Sequence, residues 1–233
     1  MTISVMSLKI KGWRKITKWA IWSIVGVLFL VFLVRVATFE HGYYSGKEGT
    51  ERASATNLAD EEELIEEKPS SDEVREYVVT PDRPRYLSVD KLRISKARVL
   101  AMGINVEGEL DTPRNIFDVG WYELSGKPGQ GGTMIIDGHN GGPHVYGVFK
   151  DLPLLSKGDI IEIERGDGVI YKYSVVENKA VSLDESNDYM VTASKSPEAG
   201  KESVTLITCT GEWSQAQNTY LSRQFTRAVL IEE

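Results

Sequence analysis

Three residue types suited to acyl transfer stand in this sequence: its single cysteine, Cys209, a histidine in a glycine-rich loop, His139, and an arginine at the start of an apolar stretch, Arg223. A thiolate attacks a carbonyl, an imidazole passes a proton to and from the leaving amine, and a guanidinium holds the oxyanion that develops. Each residue also has an ordinary reading. Cys209 closes the apolar run Thr205-Leu206-Ile207-Thr208-Cys209, where a cysteine serves as a small buried hydrophobe. His139, in Ile136-Asp137-Gly138-His139-Asn140, reads equally as a polar loop residue. Its competitor, His144, lies in the same loop, and His41 lies in an acidic stretch. Arg227 shares the face of an extended strand with Arg223, four residues earlier.

The elements that must position these groups are strands. From residue 81 onward, short apolar runs are broken by turn residues, and few stretches carry a long 3.6-residue period. Over 159–165, Ile161 and Ile163 alternate with Glu162 and Glu164. Gly166-Asp167-Gly168 then makes a turn, and Tyr171, Tyr173 and Val175 alternate with Lys172 and Ser174, so a hairpin is expected. Further strands are expected at 86–89, 97–102, 133–136, 204–209 and 224–231, and a helical turn over 145–152. Gly131-Gly132, Gly138 and Gly141-Gly142-Pro143 place His139 in a loop directly after an apolar strand, where catalytic groups commonly sit.

The region before residue 81 has a different character. Lys9, Lys11, Arg14, Lys15 and Lys18 precede an apolar run over 19–39 that only Arg35 interrupts. A run of that length spans a bilayer as a helix, and the basic residues before it keep the N-terminus inside. The run exceeds the apolar core of a cleaved signal peptide, and no small-x-small site follows it. Residues 40–76 then hold twelve acidic against four basic side chains and few aliphatic ones after Tyr44, a composition that buries too little surface to fold alone. The expected organisation is a basic cytoplasmic tail (1–18), a transmembrane anchor (19–39), an acidic flexible stalk (40–80) and an extracellular catalytic domain (81–233). The full chain carries a net charge of −7, and no basic cluster follows the anchor, which argues against nucleic-acid binding.

Thr205-Leu206-Ile207-Thr208-Cys209 resembles the Thr-Leu-x-Thr-Cys signature of the sortases, membrane-anchored cysteine transpeptidases of the bacterial surface. Gly138-His139 after the apolar run 133–136 is similar to that family's strand leading to its histidine. Arg223-Gln224-Phe225-Thr226-Arg227-Ala228 is similar to its last strand, and the register selects Arg223 over Arg227, although Thr226 and Arg227 stand where the family more often carries aliphatic residues. Ala97-Arg98-Val99, Gly120-Trp121-Tyr122 and the stretch from Val148-Phe149 to Gly158-Asp159 add texture of the housekeeping type. The absence of an aromatic lid motif in the stalk, and of an apolar helix after Ile231, points the same way.

The resemblance implies a mainly β fold, a sortase-type closed β-barrel with short helices, preceded by the transmembrane helix. It also implies a reaction. Cys209 attacks the threonine carbonyl of a Leu-Pro-x-Thr-Gly-like signal on a surface protein, and His139 protonates the leaving glycine amine. Arg223 holds substrate and oxyanion, and an amine from a peptidoglycan precursor or a pilin then takes the acyl group. Thr208, Trp213 and Tyr220 are the expected substrate contacts, with Asn218 in the same loop. Asp137 is read as a turn residue, since no third carboxylate is required.

No metal site is expected, because one cysteine and two histidines in one loop lack zinc-ligand spacing; no cofactor is expected, although some relatives use calcium. The competing readings are an inactive membrane-tethered binding module, a cysteine hydrolase that uses water in place of the amine, and an L,D-transpeptidase. The last of these places its histidine a few residues before its cysteine, unlike His139 and Cys209.

Overall fold

The computed structural model describes residues 63–105 and 108–231. The expected tail and anchor, and the stalk up to residue 62, lie outside the described residues. Among those described, no helix is long and apolar enough to cross a membrane.

Eight strands close into a barrel: β1 (Pro84–Val89), β2 (Ile94–Met102), β3 (Val119–Tyr122), β4 (Thr133–Gly138), β5 (Ile160–Arg165), β6 (Ile170–Ser182), β7 (Ser203–Ser214) and β8 (Thr219–Leu230). Their order around the barrel is β1-β2-β3-β4-β7-β8-β6-β5, with β5 returning to β1. The pairs β2–β3 and β4–β7 are parallel and the others antiparallel. Parallel neighbours need long connections. The one between β2 and β3 is the loop 103–118, which matters for the site.

The alternation read in the sequence sets which side chains point inward. Ile161 and Ile163 of β5 and Tyr173 and Val175 of β6 fill the barrel, and Glu162 pairs across the hairpin with Lys172 outside it. With Trp121, Met134, Ile136, Phe149 and Leu206, all at most 1% exposed, they form the interior core. The turn closes as the spacing suggested: Gly168 adopts φ 88°, the left-handed region that glycine enters without strain. β6 runs further than its alternating stretch, to Ser182. It pairs with β8 from Tyr173 to Ser182, with a bulge at 175–177.

A second cluster lies on the outer face of β4, β7 and β8, where Ile135, Ile207 and Phe225 alternate with inward residues. It is covered by helix α2 (Leu183–Ala193), whose Tyr189 ring meets Phe225 edge-on at 4.9 Å. The sequence reading did not anticipate α2. Most of its apolar residues gather at its C-terminal end, Tyr189, Met190, Val191 and Ala193, with no sustained 3.6-residue period, and packing on the sheet supplies what its own pattern does not. The helical turn expected over 145–152 is a 3₁₀ turn at Leu152–Leu154, pinned by Asn178, whose Nδ2 donates to the carbonyls of Leu152, Pro153 and Leu155.

Residues 63–80, assigned to the flexible stalk by composition, lie against the barrel. Ile65 N–H donates to Arg114 O at 2.9 Å, and Ile116 N–H to Ile65 O at 3.1 Å. Helix α1 (Ser71–Glu76) starts on a capping box between Ser70 and Glu73, and Tyr77 Oη donates to Val99 O at 2.6 Å. Among the described residues, the chain packed on the barrel thus begins at 63 and not at the expected boundary of 81. Polar and backbone bonds, which leave no hydrophobic pattern, hold this segment in place.

Candidate active site

Cys209 and Arg223 are Cα partners across the antiparallel pair β7–β8. Side chains directly opposite in such a pair stand about 5 Å apart at Cβ. Both residues share the parity of Ile207 and Phe225, so both rise from the outer face, beside the second cluster. On the other side of β7, the parallel register with β4 runs to Asp137↔Ile207. One step further, Thr208 Oγ1 donates to Gly138 O at 2.7 Å and binds the two strands together. His139 thus leaves the end of β4 alongside Cys209. Cys209 and Arg223 thus lie on two neighbouring strands, and His139, 70 residues before the cysteine, follows the end of the third.

The guanidinium of Arg223 is held by its own hairpin, with one Nη donating to the carbonyls of Tyr220 and Ser222 and the other to Thr219 Oγ1. His139 Nε2 donates to Pro113 O at 2.8 Å, which leaves Nδ1 as the ring's proton acceptor. Burial holds the imidazole below its ordinary value, against the opposing pull of that carbonyl. Burial also pushes the Cys209 thiol up. The positive charge of Arg223 draws it back down, and the carboxylates of Asp137 and Glu109 add to the rise. Near neutrality the uncharged thiol and imidazole are therefore the dominant pair.

Thr208, expected to touch substrate, is 4% exposed and points inside the barrel, where its hydroxyl is used on Gly138 O. It ties β7 to β4 and faces away from the side of the sheet that bears Cys209 and Arg223, a consequence of its even position in a strand whose odd positions face out. Trp213 and Tyr220 are cross-strand partners on the extension of the β7–β8 hairpin, their rings edge-on at 5.2 Å, with Trp213 half exposed. Asn218 sits at the hairpin turn with φ 50°.

Arg227 is buried, bonded to Glu177 at 2.6 Å and to the carbonyls of Thr192 and Lys195 at the end of α2. Asp137, read as a turn residue, lies inside β4. His144 is exposed and bound through Nδ1 to Glu66 at 3.0 Å, and Glu66 also accepts from the backbone N–H groups of His144 and Val145. Sequence reasoning missed Pro113, because a backbone carbonyl in a loop leaves no signature in residue type. Among the described residues, no group of three His, Cys, Asp or Glu side chains is assembled that would hold a metal ion.

A family model described as Sortase domain matches residues 87–231, more than half of the chain. No curated protein matches the sequence. Among solved structures, the chain is similar to the SrtA sortase from Actinomyces oris, at 21% identity over 67% of this chain and 83% of that one, with a TM-score of 0.48. It is also similar to sortase C of Streptococcus pneumoniae, at 21% identity over 73% and 76% with a TM-score of 0.47. A third likeness is to a pilus-related sortase C of Group B Streptococcus, at 24% identity over 75% and 77% with a TM-score of 0.46.

Proposed function

The chain belongs to the sortase family, and from that premise we propose that it is a cysteine transpeptidase acting on a Leu-Pro-x-Thr-Gly-like sorting signal, cut between threonine and glycine. The observation that carries the reading is the placement of Cys209 directly opposite Arg223 and beside the end of β4 that leads into His139.

In the first half-reaction, Cys209 Sγ, as thiolate, forms a bond to the threonine carbonyl carbon. The oxyanion is held by the Arg223 guanidinium and a backbone N–H near Cys209. The C–N bond breaks as His139 gives its proton to the glycine amine, leaving a thioester on Cys209. In the second, an amine attacks the thioester, His139 takes its proton, and the thiolate leaves. The acceptor is an amine of the cell wall or of a pilin. Trp213 and Tyr220 form an exposed aromatic edge beside the pair and serve as a surface for the bound signal. The apolar run 19–39 would hold the domain on the outer face of the membrane.

The test is incubation of the protein with a Leu-Pro-x-Thr-Gly peptide, with and without an added amine, followed by mass spectrometry of wild type and Cys209→Ala. A thioester on Cys209 and an amine-joined product are expected from the wild type alone. Cleavage without joining, across a panel of amines, would replace the transpeptidase with a cysteine hydrolase. A folded protein that forms no adduct with any related signal would leave a binding module.

A further inference from the structure

We propose that Asp137 is a positioning residue for His139, acting through the Thr112 hydroxyl and the Pro113 carbonyl. The proposal rests on the transpeptidase reading for its effect on rate, but not for its effect on the histidine ring.

Asp137 lies two residues before His139 on β4, in the row of the outer face formed by Gly120 of β3 and Ile207 of β7. Thr112 Oγ1 donates to Asp137 Oδ2 at 2.8 Å. The next residue, Pro113, offers its carbonyl to His139 Nε2 at 2.8 Å. The carboxyl on β4 and the imidazole just past its end are thus bridged by two consecutive residues of the β2–β3 loop. Proline has no N–H with which to tie that loop, and the nearest flanking backbone bonds are made by Asp111 N–H to Gly103 O and by Arg114 O to Ile65 N–H. Between those points, the Thr112 hydroxyl fastens the loop to the strand that bears the histidine.

Gly120 shows that the space is shaped for both partners. A Cβ there would stand 2.4 Å from Asp137 Oδ1 and 3.0 Å from Pro113 Cδ, so the missing side chain admits the carboxyl and the proline together. Burial pushes the Asp137 carboxyl up to about 7, and Oδ2 accepts the hydroxyl bond in either protonation state.

The consequence is specific. With Pro113 O held in place, His139 keeps its neutral proton on Nε2 and presents Nδ1 for proton exchange; with the loop released, the ring is free to rotate and change tautomer. A lost orientation of this kind lowers turnover more than binding, by about tenfold in kcat.

The chain has three histidines, so ring ¹⁵N shifts of the full chain in detergent are assignable with His41→Gln and His144→Gln. Wild type and Asp137→Asn, which keeps an acceptor for Thr112, are expected to show the Nε2–H tautomer at His139. Asp137→Ala and Thr112→Val are expected to show a mixture, with kcat down about tenfold, KM within about twofold, and Thr112→Ser restoring both. If Asp137→Ala does not fold, the comparison of Thr112→Val with Thr112→Ser decides. A wild-type tautomer in folded Thr112→Val overturns the proposal. A tautomer that depends on Thr112 in a chain without transpeptidation keeps it and removes the transpeptidase reading instead.

Discussion

The chemistry of the site turns on two shifts in opposite directions, both set first by burial: His139 below its ordinary value and Cys209 above it. In the proposed transpeptidation the reactive combination is an imidazolium with a thiolate. Its population climbs as pH rises through the lower of the two values and falls as pH passes the higher. The expected kcat/KM profile is therefore a bell whose acid limb lies below the ordinary imidazole value and whose alkaline limb lies above the ordinary thiol value, the limbs belonging to the pair rather than to either residue. Thiolate absorbance from Cys209 already present at a pH where His139 still holds its second proton would instead indicate a resting ion pair. Elsewhere, Asp118 is 2% exposed and receives a forked pair of bonds from Arg98, at 2.9 and 2.7 Å. Arg98→Met strands that carboxylate and is expected to cost about 3–5 kcal/mol in urea unfolding, with much of the loss recovered by the additional change Asp118→Leu. If Arg98→Met unfolds at the wild-type midpoint, the pair contributes nothing.

Among the elements, the segment 63–80 departs most from what its composition suggests. Acidic side chains and sparse aliphatics describe a solvated spacer, yet Ile65 joins the loop 103–118, α1 caps itself, and Tyr77 reaches Val99. Loss of three such hydrogen bonds at about 1 kcal/mol each is worth roughly 3 kcal/mol, or roughly 10 °C in a domain of this size. A chain beginning at residue 81 is thus expected to melt roughly 10 °C below one beginning at 63 in a calorimetric scan; equal melting temperatures would show that the segment adds no stability. α2 was invisible for the related reason that its helicity depends on Phe225 and its neighbours rather than on its own pattern. The hairpin of β5 and β6 was legible because its alternation and its turn glycine act within one short stretch.

Across the barrel, closure brings β4, β7 and β8 side by side, although α2 and long stretches of chain separate β4 from the other two. The residue types needed for acyl transfer, the strands that carry Cys209 and Arg223, and the loop that carries His139 were determined by the sequence alone, because alternation and turn chemistry are local properties of the backbone. Tertiary structure alone decided that Cys209 opposes Arg223, that Thr208 faces inward, and that Asp137 reaches Thr112 beside the carbonyl that holds His139. It also decided which way the thiol and imidazole shift. Strand pairing and desolvation are set by groups distant in the chain, and no local pattern encodes which of them will meet.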